Sequence, residues 1–120
     1  MIRNDYPIKI NKTMEDAVTS LLFENGKTVN LAIAVGGDKE RSVRLLNAKN
    51  PRRARKFGGT PDMPLDIAWA PKSKTAYLAG SDGNIVSWAR MGRVDKTFKG
   101  HSDWVTAIAL SPDEKLLASV

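Results

Sequence analysis

The sequence has no cysteine and a single histidine, His101, among its 120 residues. Without a thiol, the chain has no disulfide framework, no thiolate nucleophile and no cysteine ligand for zinc. A lone imidazole has no second histidine or cysteine with which to hold a metal ion, and no acid–base constellation accompanies it. We therefore predict no catalytic, metal or cofactor site, and we expect the protein not to be an enzyme.

Long apolar runs are also missing. No stretch approaches the roughly 18 apolar residues that a transmembrane helix needs. Charged side chains interrupt residues 1–12, so this segment lacks the continuous apolar core of a secretory signal. These absences favour a soluble protein of the cytoplasm, with the nucleus as the alternative, and no membrane partner.

Negative charge is the scarcer sign, with 13 Asp and Glu against 19 Lys and Arg and a formal net charge of +6. Such a balance attracts nucleic acid or anionic lipid. A net charge of this size is equally ordinary for a soluble surface that has no polyanionic partner. Composition alone favours this second interpretation.

What the sequence does have is a repeat. Residues 18–33, 65–79 and 105–120 each contain a short apolar strand, a polar turn and a second short strand, which is the pattern of a β-hairpin. Pro71 and Pro112 occupy equivalent places in the last two turns, where the fixed φ of proline favours a reversal of the chain.

The first two copies continue with two further candidate strands each, at 42–46 and 53–57 and at 84–88 and 93–98. Equivalent positions recur every 41 to 46 residues. Four strands per unit at this period is typical of β-propeller blades. Solenoids of paired helices have similar periods, but their stripes at 3.6 residues are missing here and the apolar residues alternate at period two.

Several of these residues resemble the WD-repeat family. Residues 100–105, Gly-His-Ser-Asp-Trp-Val, resemble its Gly-His loop and the inner strand that follows. Residues 110–119 resemble the next hairpin. Asp82 and Trp88, six residues apart, resemble the acid of the family's tight turn and its characteristic tryptophan.

The resemblance covers roughly residues 14–120 and is most specific over 98–120. It implies an all-β fold, made of β-propeller blades of four antiparallel strands in an incomplete ring. It also implies a division of the chain into four parts. These are a candidate outer strand at 1–13, a degenerate first blade at 14–62, a second blade at 63–99 and the first half of a third blade at 100–120. Because two and a half blades leave a blade face unpacked, we expect further blades or an oligomer to complete the ring.

In this family a His, a Ser or Thr, an Asp and a Trp form one hydrogen-bonded set within a blade, in which the donors satisfy a buried carboxylate. The resemblance gives these structural roles to His101 and Ser119 in the third blade and to Asp82 and Trp88 in the second. No blade has the whole set, so we expect the network to be partial.

Loops that precede inner strands line one rim of the channel in such propellers. By the repeat register, Trp104, Asp103 and Ser81 belong to loops of this rim. An exposed tryptophan there is a good anchor for a partner. The alternative is a tryptophan that the next blade covers.

The densest basic run of the chain consists of Arg52, Arg53, Arg55 and Lys56. It indicates either a polyanion-binding patch or an outer strand whose charges discourage edge pairing. The run has no interleaved aromatic residues of the kind that single-strand binders use, and this favours the outer strand.

The function that the resemblance implies is a non-catalytic protein–protein interaction scaffold that binds a protein or peptide. The alternative is a propeller segment that binds nucleic acid through the basic run. The fold by itself does not distinguish them.

Overall fold

The computed structural model describes residues 18–24, 30–36, 41–47, 50–57, 62–88 and 94–120, and it describes side-chain burial for 41–47, 50, 62–88 and 94–120. These residues form ten strands: β1 (Val18–Glu24), β2 (Asn30–Gly36), β3 (Arg41–Asn47), β4 (Asn50–Phe57), β5 (Pro64–Ala70), β6 (Thr75–Gly80), β7 (Ile85–Trp88), β8 (Val94–Phe98), β9 (Ile108–Leu110) and β10 (Leu117–Ser119). The predicted N-terminal segment, 1–13, lies outside the described residues.

The strands form three antiparallel sheets. The first sheet has the order β1-β2-β3-β4 and the second has the order β5-β6-β7-β8, while β9 and β10 form a two-stranded sheet, the third hairpin. Neighbours in space are neighbours in sequence throughout. No helix occurs in the described ranges, and the sheets that they form do not close into a ring. The predicted all-β class with four-stranded antiparallel sheets is confirmed.

The second sheet is covered on both faces at its first three strands, β5, β6 and β7. Consecutive residues of a strand point to opposite faces, and the two apolar clusters of the structure divide the second sheet accordingly. One cluster joins it to Val43 of the first sheet, and the other joins it to Val105 and Ile108 of the third hairpin. The face toward the first sheet carries Ile67, Leu78 and Val86. The face toward the third hairpin carries Ala68, Ala79 and Ile85.

Burial of β7 explains its sequence. All four of its side chains, Ile-Val-Ser-Trp, are buried, because a strand in the middle of a doubly covered sheet has no solvent face. Trp88 has 2% of its surface exposed and lies in the cluster shared with the first sheet. Three of its four residues are therefore apolar, and Ser87 is a buried polar residue among them.

Polar contacts also fasten the third hairpin to the second sheet. Asp66 Oδ2 accepts a hydrogen bond from the Ile108 amide at 2.9 Å, while Asp66 Oδ1 accepts one from the Ile67 amide at 2.9 Å. The Val105 amide donates to the Gly80 carbonyl at 3.1 Å. Two backbone amides of the hairpin segment are thus satisfied by the neighbouring sheet.

The inner strand of the third repeat is shorter than predicted. The sequence pattern predicts a strand that begins at Val105, whereas β9 begins at Ile108. The Thr106 and Ala107 amides still donate to the Val120 carbonyl just after β10, whereas the Val105 amide donates to the Gly80 carbonyl of the second sheet. Trp104 consequently lies in a loop, three residues further from the strand than the pattern predicts.

Candidate functional site

The turns of the second sheet and the third hairpin lie at two opposite ends, because adjacent strands are antiparallel. Turn 81–84 and loop 99–107 form one end, which we call the Trp104 end. Turns 71–74 and 111–116 form the other, the Glu114 end. Contacts between neighbouring sheets occur at both ends.

Trp104 projects from a backbone that is held in place. Its side chain is 55% exposed. The Trp104 amide donates to Asp103 Oδ1 at 2.8 Å, and the next residue, Val105, is fully buried and bonds the Gly80 carbonyl. The indole therefore combines exposure with a fixed attachment, which is the property of an anchor side chain.

Gly83 allows turn 81–84 to pack directly against the loop that carries Trp104. Its φ is +79°, a left-handed conformation that glycine adopts without steric cost. A Cβ atom at this position would lie 2.9 Å from the His101 carbonyl oxygen and 3.1 Å from that of Asp103. The sequence marks Gly83 only as a turn residue, since the close approach involves a loop about twenty positions away.

Ser81 is engaged in holding the Trp104 end together. Its hydroxyl accepts a hydrogen bond from the Met63 amide at 2.9 Å, and its own amide donates to the Met63 carbonyl at 3.0 Å. The side chain is partly buried. The hydroxyl proton is the part of Ser81 that these contacts leave available for a partner.

Asp82 organises its own turn. Its two carboxylate oxygens accept from the amide and the side-chain amide of Asn84, both at 3.0 Å. Asp82 and Asp103 are both exposed. Arg41 and Asp62 form an ion pair that is also exposed, and exposed pairs of this kind contribute little stability.

His101 and Ser119 are brought together across the third hairpin. His101 Nε2 lies 2.7 Å from Ser119 Oγ, so the loop before β9 is joined to β10. Such a pair has the elements of a nucleophile and a base, but a base also needs a group that orients it. No carboxylate of the described residues bonds the other ring nitrogen, so the pair lacks that orienting group. That the four-residue set is only partial in this chain stays a prediction.

The basic run lies on β4, at the edge of the first sheet. In the strand register Lys56 pairs with Arg44 and Arg55 pairs with Leu45. The side chains of Arg52, Arg53, Arg55 and Lys56 lie outside the described residues. Polyanion binding through this run stays a prediction.

Two carboxylates that the sequence patterns did not single out make contacts between sheets. Asp66 interrupts the otherwise apolar strand Pro-Leu-Asp-Ile-Ala-Trp-Ala, and this interruption is a signal that could have found it. Glu114 stands in a turn where acidic residues are ordinary, so its sequence context carried no such signal.

Among the described residues, no group of three metal-ligating side chains is present. None of the described segments is a helix long and apolar enough to cross a membrane.

The face-to-face sheets and their paired loops define a repeat protein of the β-propeller class. Residues 92–120 match the family model "WD domain, G-beta repeat". The predicted resemblance to the WD-repeat family is confirmed by this match.

Two relatives are similar over most of this chain. Protein groucho of Drosophila melanogaster is 30% identical over 94 residues, which are 77% of this chain and 12% of groucho. The tRNA (guanine-N(7)-)-methyltransferase non-catalytic subunit of Caenorhabditis elegans is 24% identical over 112 residues, which are 92% of this chain and 28% of that subunit. The chain thus spans between about an eighth and somewhat over a quarter of these relatives. WD repeats form protein-interaction domains that are in general non-catalytic.

Proposed function

We propose that this protein is a non-catalytic scaffold that binds a protein or peptide across the Trp104 end. Trp104 is the anchor, and Asp103 and Ser81 flank it. The observation that carries the proposal is the 55% exposure of an indole whose neighbouring residue, Val105, is fully buried. We propose the cytoplasm as the compartment in which this scaffold acts.

The physical reason is the low entropic cost of a pre-positioned anchor. Binding requires the ordering of interface side chains and loops. The loop at Trp104 is already fixed by the Val105–Gly80 bond and by the packing of Gly83. A partner that buries the indole therefore gains apolar contact without first ordering the backbone.

A second part of the proposal concerns the open face of the third hairpin. This face, which we call the alanine face, consists of the exposed residues Ala107, Ala109, Ala118 and Val120. One repeat earlier, Ala68 and Ala79 occupy the places of Ala109 and Val120 and are buried against the third hairpin. We propose that another sheet, from further blades or from an oligomer, covers the alanine face in the same way.

The experiment uses a photo-reactive side chain placed at position 104 of the full-length protein, with the same side chain at Leu116 as the control. Leu116 is 72% exposed, more than Trp104, and lies at the Glu114 end. Crosslinking of one protein at 104 and not at 116 supports the proposal. Equal crosslinking at both positions, or none at 104, contradicts it.

Affinity then tests the anchor role. With the crosslinked partner purified, Trp104→Ala should weaken binding by at least about 20-fold, as expected for loss of an aromatic anchor. Leu116→Ala should leave the Kd unchanged. An unchanged Kd for Trp104→Ala would remove this residue from the interface.

A further inference from the structure

At the Glu114 end, one carboxylate reaches from the third hairpin to the turn of the second sheet. Glu114 Oε2 accepts from the Lys72 amide at 2.8 Å. Glu114 Oε1 accepts from the Ser73 amide and from the Ser73 hydroxyl, both at 3.1 Å. Three donors of one turn thus converge on a single side chain that lies 41 to 42 positions away in the sequence.

The backbone at this side chain is unusual. Glu114 has a φ of +61°, in the left-handed region that disfavours residues with a Cβ. Glycine or asparagine is the ordinary choice at such a position. Lys74, in the equivalent turn of the second sheet, has a φ of +57° and makes no such contact among the described residues.

We propose that Glu114 is a clasp, whose ionised carboxylate holds the third hairpin against the turn of the second sheet at Lys72 and Ser73. The proposal goes beyond the partner-binding function, since it concerns the opposite end of the molecule.

The groups around Glu114 have opposing effects on its pKa, and the lowering effects are the larger. Partial desolvation raises the pKa of Glu114. The hydrogen bonds from Lys72 and Ser73, together with the positive charge of Lys72, lower it by more, so the pKa lies below its ordinary value. Lys74 of the same turn and Lys115 of its own turn add positive charge nearby, and Asp113 adds negative charge. The pKa of Asp113 is itself lowered, first by the Ser111 hydroxyl and then by the Lys115 amide.

A carboxyl group whose pKa is lower in the folded state stabilises that state above its unfolded pKa, and the stabilisation is lost as the pH falls through the folded pKa. Protonation of Glu114 therefore opens the clasp. Negative charge added at the Ser73 hydroxyl, as phosphorylation adds it, repels the carboxylate and has the same effect.

The first test compares two substitutions by glycine. Relief of the left-handed backbone alone predicts that Glu114→Gly and Lys74→Gly both raise the Tm or leave it unchanged. The clasp predicts that Lys74→Gly does so while Glu114→Gly lowers the Tm by about 2–5 °C. A Tm for Glu114→Gly equal to or above that of the wild type overturns the proposal.

The second test follows the amide proton shifts of Lys72 and Ser73 by NMR between pH 7 and pH 2.5, since an amide that donates to a carboxylate responds to its protonation. In the wild type both shifts should change with one midpoint, the same as that of the Glu114 carboxyl carbon. In the isosteric variant Glu114→Gln they should not titrate, and exchange of these amides should be about five-fold faster. Shifts that titrate equally in both proteins overturn the proposal and assign the response to Asp113.

The third test uses charge at Ser73. Ser73→Asp should speed the exchange of the Lys72 and Ser73 amides at pH 7 by at least as much as Glu114→Gln. Ser73→Ala, which removes one of three hydrogen bonds, should have a smaller effect. Equal effects of Ser73→Asp and Ser73→Ala would contradict the electrostatic part of the clasp.

Discussion

At the scale of single residues, the presence or absence of a Cβ atom determines whether two loops can pack against each other. Gly83 is such a position, because its φ of +79° and the 2.9 Å approach of the His101 carbonyl both exclude a side chain. The backbone oxygen cannot rotate away as a flexible side chain can. Contact between turn 81–84 and the Trp104 loop therefore requires glycine.

Gly83→Ala should lower the free energy of unfolding by about 2 kcal/mol or more, since an alanine in a left-handed conformation alone costs about 1–2 kcal/mol. Denaturant titration measures the change. Ser102→Ala, at an exposed position of the same loop, is the control and should be neutral. A stability of Gly83→Ala within about 0.5 kcal/mol of the wild type would show that the loop moves aside freely.

At the scale of strands and turns, neighbouring sheets are joined by apolar clusters and by carboxylates that accept backbone amides. Asp66 lies beside a register shift in β5 and bonds the first residue of β9. The Ile108 side chain is buried in the cluster between the sheets, and the hydrogen bond from its amide to Asp66 is partly buried. The Ile108 amide, a donor on the next sheet, explains why an acidic residue stands in this apolar strand.

Asp66→Ala should destabilise the protein by about 1–3 kcal/mol, because it leaves the buried Ile108 amide without its acceptor. Asp66→Asn keeps one acceptor oxygen and should lose less. The exchange rate of the Ile108 amide, measured by NMR, should rise in the same order. Asp95→Ala, on the exposed strand β8, is the matched control, and an equal loss of stability there would refute the special role of Asp66.

At the scale of the whole molecule, successive antiparallel sheets pack face to face, and each buries apolar side chains against the next. The first sheet covers one face of the second and the third hairpin covers the other. The alanine face is the place where this succession stops within the described residues. Small side chains there suit the close approach of another sheet, as Ala68 and Ala79 do one repeat earlier.

Ala109→Lys tests whether the alanine face is covered in the full-length protein. If another sheet covers it, the buried charge and the lost packing should destabilise the protein by about 3 kcal/mol or more. Ala118→Lys, the cross-strand neighbour of Ala109, should behave alike, while Leu116→Lys at the exposed turn should be neutral. Neutral behaviour of both alanine variants in denaturant titrations would mean that the face is open to solvent.

Much of the fold was predictable because its signals are local. Alternating apolar residues define the strands, and the prolines of the two later hairpins mark their turns. Equivalent positions recur every 41 to 46 residues, and that period predicts sheets of four strands. The Trp104 loop was likewise recognisable from its Gly-His residues, although its exposure was not.

The amino-acid sequence by itself therefore determined most of the strands, their antiparallel order and the family that residues 92–120 resemble. Only the tertiary structure decided how the sheets are joined: Asp66 to Ile108, Glu114 to the turn at Lys72, and Gly83 to the loop at His101. The physical reason is that the first two contacts connect residues some 40 positions apart, and the third connects residues about twenty apart. Their partners are set by how whole sheets pack, and no local periodicity records that packing.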